Sequence, residues 1–294
     1  MQELPSMTGL RIAVVGRGVT VILVTLLFVT PHPVLSQELA LAPMRTSGQS
    51  VTAAYEGWFR HPDGQISLLV GYFNRNSEEV LHIPVGPDNR IEPGGPDRGQ
   101  PTHFLPRRAW GVFAVTLPPD FGDQQLTWTL VANGETTRVP MSLKTDWEVE
   151  PYLEPAQGNT PPMVRFEQGG QPQQGPPLGI SAEYEATVHE PLDLTIWATD
   201  DGQVDPNRRA LEGAPVRIRW VKHRGAGDVV FSNPQPDTDE ITGETLTSAT
   251  FSDVGDYVLR VQANDSSGPR GGFQCCWTNA HVSVVVTDAG SKSP

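Results

Sequence analysis

Two stretches of this 294-residue chain gather side chains that could bind or react. The first, Asp200-Asp201-Gly202-Gln203-Val204-Asp205-Pro206-Asn207-Arg208-Arg209, sets three acids beside two arginines. The second runs from Asp265 to Asn279 and holds Arg270, Phe273, Cys275, Cys276 and Trp277 among glycines. Hard cations take oxygen ligands, so Asp200, Asp201 and Asp205 are candidate Ca²⁺ ligands together with backbone carbonyls. The spacing does not match an EF-hand loop, because the later Glu is missing. Acidic turn and cap residues give the same pattern. Phe273 and Trp277 offer apolar faces, Arg208 and Arg270 offer polar contacts, and the glycines let a partner approach. Cys275 and Cys276 are adjacent and cannot staple distant parts of the fold. Three readings stand for them: two thiols, a vicinal disulfide formed in an oxidising compartment, or part of a metal site. The metal reading would need His223 or His281, which form no recognised zinc spacing. A vicinal disulfide beside Trp277 would make a stiff platform for stacking a sugar or a peptide.

No catalytic signature accompanies these residues. G-x-S-x-G, H-E-x-x-H, the P-loop and C-x-x-C are all absent from the chain. His61, His82, His103, His189, His223 and His281 are scattered singly. The acid pairs Glu78-Glu79 and Asp239-Glu240 fall in expected turns and read as solvated surface. A glycosidase assembled from distant acids stays open. The formal charge is −13, which repels phosphate backbones and argues against nucleic acid as a partner. Charged residues are sparse at 19%, while 29 glycines and 28 prolines suit many short strands joined by turns.

The elements that must position the two stretches can be traced from Asp253-Val254-Gly255-Asp256-Tyr257. Beyond this corner Tyr257, Leu259, Val261 and Ala263 share one face, and Val258, Arg260, Gln262 and Asn264 the other. That period of two predicts a half-buried strand. The D-x-G-x-Y spacing resembles the tyrosine corner of immunoglobulin-like sandwiches, in which the Tyr hydroxyl turns back onto the preceding backbone. Other stretches extend the likeness: Asn159-Thr160-Pro161-Pro162, Ala198-Thr199-Asp200-Asp201-Gly202, the Trp220 strand, Val230-Phe231-Ser232-Asn233 and Phe251-Ser252. On these residues the region 163–288 resembles PKD-type and related immunoglobulin-like modules of exported bacterial proteins. The resemblance implies strand B at 192–199, strand C with a buried Trp220, strand F at Tyr257 and strand G at 280–287. It implies that Leu259 and either Leu194 or Ile196 fill the place of the cysteine pair of antibody domains. It also implies that the B–C and F–G loops emerge at one end, which would bring the two reactive stretches together.

A second β domain, a compact sandwich or barrel that resembles no named family, is expected at 48–148. Runs at 51–60 and 65–73 flank His61-Pro62-Asp63-Gly64, and Asn133-Gly134 joins two alternating strands. Trp128, Leu130, Leu68, Val70 and Val112 are its expected core. The long segment 86–108 reads as irregular, either packed or functional. Residues 149–162 are Pro/Gly/Gln-rich and read as a linker, and 289–294 as a tail. At the other end, Arg11 and Arg17 precede the apolar run 19–29, and Val34-Leu35-Ser36 offers a cleavage site. Residues 1–36 therefore read as a signal peptide, followed by a flexible 37–47, with an uncleaved N-terminal anchor as the alternative. The expectation is an all-β protein, two antiparallel sandwiches, periplasmic or secreted. Its function would be binding or structural, with a glycan or an envelope protein as partner. A secreted hydrolase, or an accessory of one, is the alternative.

Overall fold

The computed structural model describes residues 45–155, 158–203, 216–265 and 275–290. The expected leader at 1–36 lies outside them. Among the described residues, regular structure is strand apart from one 3₁₀ turn, Thr145–Trp147.

The first domain contributes β1 (Val51–Arg60), β2 (Ile66–Asn74), β3 (Leu81–His82), β4 (Asn89–Glu92), β5 (His103–Phe104), β6 (Arg107–Thr116), β7 (Gln125–Ala132) and β8 (Glu135–Ser142). One sheet has the order β1-β2-β6 and the other β4-β7-β8, with β3-β5 as a small ribbon. The β7–β8 hairpin closes as its sequence demands: Asn133 and Gly134 adopt φ of 49° and 79°, the left-handed pair of a two-residue turn. Trp128, Leu130, Leu68, Val70 and Val112 all lie in the shared core. The indole of Trp128 donates to Asn89 Oδ1 at 3.0 Å, so its one polar atom is satisfied inside.

The second domain contributes β9 (Met163–Arg165), β10 (Gln173–Gln174), β11 (Ile180–Thr187), β12 (Leu192–Thr199), β13 (Val216–Arg224), β14 (Val229–Phe231), β15 (Glu244–Phe251), β16 (Gly255–Asp265) and β17 (Trp277–Thr287). Its sheets run β10-β9-β12-β15-β14 and β11-β17-β16-β13. The corner forms as the spacing requires. Tyr257 donates its hydroxyl to Asp253 O at 2.8 Å and accepts from the Gly227 amide at 2.9 Å. Leu194, Ile196, Trp220 and Leu259 meet in one core with Val282 and Val284. The body is thus all-β, in two sandwiches, and the second is immunoglobulin-like.

Three features differ from expectation. First, β11 pairs with β17 in parallel, so the second sandwich is not wholly antiparallel. Second, the segment 86–108 is not irregular throughout: β4 extends the β7 edge and β5 pairs with β3. Third, β17 begins at Trp277, ahead of the expected 280, because Asn264 and Trp277 already pair across β16 and β17. That last shift decides where Trp277 points. Ala280, Val282, Val284 and Val286 enter the core, so the odd-numbered residues Trp277, Asn279 and His281 face the other side of the sheet. The first domain covers that side.

Candidate functional site

The covered side is a seam between the sandwiches. Trp277 is 1% exposed and packs with Phe59 and Leu69, joined by Ala114, Val149 and Tyr152. Gly111 stands where any Cβ would overlap the Trp277 ring, at a φ of 52°, so both sterics and backbone demand glycine there. Polar groups then register the two sheets. Asn279 Nδ2 donates to Gly111 O at 2.8 Å, and His281 Nε2 donates to Val112 O at 3.0 Å. His223 Nε2 donates to Gly99 O at 2.9 Å, and the Thr102 amide donates to His223 O at 3.1 Å. Arg224 grips Asp97 through both Nη atoms, at 3.0 and 2.7 Å, and donates Nε to Gln100 O at 2.6 Å. The long segment of the first domain is therefore a clamp on β13.

Charge is buried along the same seam. Glu56 is 4% exposed; it accepts from Arg108 at 2.5 Å and from the Gly111 amide at 2.7 Å. Burial pushes the Glu56 carboxyl up to about 7, against the opposing pull of Arg108, the Gly111 amide and Arg260. Arg260 comes from the outer face of β16, and its Nε and Nη1 are buried without a hydrogen-bond partner. The rings of His223 and His281 lie 4.3 Å apart. Burial holds His281 down to about 3 and His223 well below the usual imidazole range, reinforced for His281 by Arg260 and for His223 by His281. A neutral imidazole can keep donating Nε2–H to a carbonyl without carrying charge into the seam.

At the rim of this seam lies the pole formed by the two reactive stretches. Cys275 and Cys276 are joined by a disulfide. Their sulfurs carry no proton and lie 3.8 and 3.5 Å from the Asn159 carbonyl oxygen. Asn159 donates Nδ2 to Asp265 Oδ2 at 2.7 Å. Thr160 donates its amide and hydroxyl to Asp201 Oδ2 at 2.9 and 2.8 Å. The end of the connecting stretch thus ties the acid turn after β12 to the disulfide before β17. Asp201 Oδ1 accepts from the Gln203 amide and Asp200 Oδ2 from the Gly202 amide, both as turn acceptors. The remaining Asp200 oxygen is buried without a partner. Burial raises Asp200 to about 6, and Asp265 and Asp201 add to the rise while local amides oppose it.

Of the expected site residues, Asp200, Asp201, Cys275 and Cys276 share this pole. Asp205, Arg208, Arg270 and Phe273 lie outside the described residues. Trp277 is corrected: it is no exposed stacking platform, because the early start of β17 turns its ring into the seam. Among the described residues no group of three or more His, Cys, Asp or Glu is arranged to hold a metal. The described acids 200 and 201 act as turn acceptors instead. Sequence reasoning missed the seam itself. Its one signal was the polar outer face of two central strands, with Arg260, Asn279 and His281 where a solvent-facing strand more often carries threonine or lysine.

No family model matches the chain, and no curated protein matches it. Solved structures of tandem modules are similar at low scores. A titin tandem of immunoglobulin domains shares 11% identity, with 82% of this chain and 100% of that chain covered, at a TM-score of 0.23. The D00-D0 domain of intimin shares 10%, covering 81% and 100%, at 0.27. Fibronectin(III)-like modules of Clostridium thermocellum CbhA share 13%, covering 83% and 98%, at 0.25. The fold assignment stands on the strand order, the register and the tyrosine corner described above.

Proposed function

We propose that this chain is an exported, non-catalytic β-sandwich protein of the cell envelope or extracellular space, periplasmic or secreted, which uses its pole to hold a glycan or an envelope protein. The PKD-type likeness of its second domain belongs to the same reading. One observation supports it above the rest: residues 275–281 serve the pole and the seam at once. The disulfide at Cys275–Cys276 lies beside Asn159, while Trp277, Asn279 and His281 run straight into the first domain. A ligand held at the pole is thereby backed by two docked sandwiches rather than by a hinged loop, which reduces the ordering cost of binding. The half-buried Asp200, its carboxyl raised by burial, and the exposed Asp201 beside a disulfide suit polar contacts to hydroxyl-rich or amide-rich partners.

The test uses the full chain on a glycan array and in pull-downs from envelope fractions. It compares the natural sequence with an Asp200→Asn/Asp201→Asn variant and a Cys275→Ser/Cys276→Ser variant. A ligand retained by the natural chain and lost by both variants supports the pole. A ligand kept equally by all three, or no ligand at all, overturns it.

A further inference from the structure

A second pair of neighbouring histidines, meeting edge to face, lies outside both the seam and the pole. His82 on β3 and His103 on β5 are directly opposed in the antiparallel register, with ring centroids 4.8 Å apart. Their Nδ1 atoms face each other at 3.5 Å. The backbone beneath them is anchored: the neighbouring pair Leu81 and Phe104 is buried, Asn74 Nδ2 donates to Phe104 O at 3.0 Å, and the Ile83 amide donates to Thr102 O at 2.9 Å. His82 is exposed and His103 is half-buried, so water and ions reach the pair.

We infer that His82 and His103 form a two-imidazole site for a borderline divalent transition ion such as Zn²⁺ or Ni²⁺, with water completing the shell. Two nitrogens at about 2.0–2.1 Å from one tetrahedral zinc lie roughly 3.3–3.4 Å apart. The observed spacing is within a small side-chain adjustment of that span, and the opposed strands hold both rings before the ion arrives. Imidazole is the side chain suited to these metals. Burial holds both rings below the usual imidazole range, joined for His82 by Lys222 against the pull of Asp228, and for His103 by His82 and Lys222. Both are therefore in the neutral, ligating form near neutral pH. Lys222 is the cation facing the pair. It donates Nζ to Gly227 O and is flanked by Asp228 and Asp253. The His223–His281 pair offers no equivalent site, because its Nε2 atoms are spent on carbonyls inside the seam.

Calorimetric titration of the full chain with ZnCl₂, and separately NiCl₂, tests the site. One saturable equivalent is expected, with a rise in melting temperature on saturation. Both signals are lost in His82→Ala and in His103→Ala. His82 is exposed, so His82→Ala keeps the fold even if His103→Ala does not, and circular dichroism distinguishes the two causes of loss. No saturable binding by the natural chain overturns the inference. So does binding undiminished in His82→Ala.

Discussion

The seam and the pole meet within three consecutive residues, yet they obey different rules. Cys276 belongs to a rim where an acid oxygen is left without a partner, and Trp277 belongs to a contact in which rings, amides and imidazoles are matched across two domains. The seam has the character of a domain interior: amides, imidazoles and carbonyls paired across it set one register, although two Arg260 nitrogens and Asn279 Oδ1 are buried there without partners. The pole instead sets an exposed acid, Asp201, and a half-buried one, Asp200, at the rim. Stability should therefore reside in the first region and recognition in the second, and substitutions can pull the two apart.

The largest separation is expected from Trp277→Ala. Deleting a fully buried Trp costs about 3–5 kcal/mol, read as a lowered urea midpoint. Glu56→Gln comes next. It removes the carboxylate held by Arg108 but keeps an amide oxygen for the Gly111 amide, and because burial already holds the Glu56 carboxyl up to about 7 the expected cost is moderate, about 1–2 kcal/mol. Both substitutions leave the residues of the pole unchanged.

Acid gives a smaller and graded effect. His281 titrates near 3 when folded against an ordinary 6.5, and His223 is shifted in the same direction. Below about pH 6.5 the unfolded chain binds more protons at these sites than the folded one, so stability is held above that pH and falls as pH drops toward 3. Glu56 and Asp200 oppose this, since their raised values let the folded state take up protons first, between about 7 and 4.5 for Glu56. Burial lowers His61, His82 and His103 as well, so the histidines outnumber the opposing acids and the net trend is acid loss. Melting temperatures across that range should fall on acidification, less steeply in His281→Asn. The smallest effect belongs to the pole. Asp200→Asn should change stability by no more than about 0.5 kcal/mol, because it removes a like charge beside Asp201 and Asp265 and keeps an acceptor for the Gly202 amide. A large loss there would erase the contrast between the two regions.

Much of the body was legible because its signals are local. Asn133-Gly134 demands a tight hairpin, and D-x-G-x-Y demands a corner with a bonded hydroxyl; both formed as their chemistry requires. Alternation also assigned Leu194, Ile196, Leu259 and Val261 to a core. Period-two patterning tells which side of a strand faces its own core, but not what lies against the other side. Arg260 was accordingly assigned to the face away from the core with nothing to say what covers it. Trp277 was misplaced by a strand start off by a few residues, an error that a loop full of glycine invites. The clamp at 97–102 was hidden because its partners, His223 and Arg224, lie more than a hundred residues away.

The clamp also bears on how the molecule can be divided. A gene fragment cut in the connecting stretch would look like a clean half, with its own sheets and its own interior. It would nevertheless carry a bare indole, two uncovered imidazoles and a lone guanidinium on its flank, while the other half would wave an unmoored loop. Each piece on its own should be sticky in isolation, and the two, made separately and mixed, should find one another.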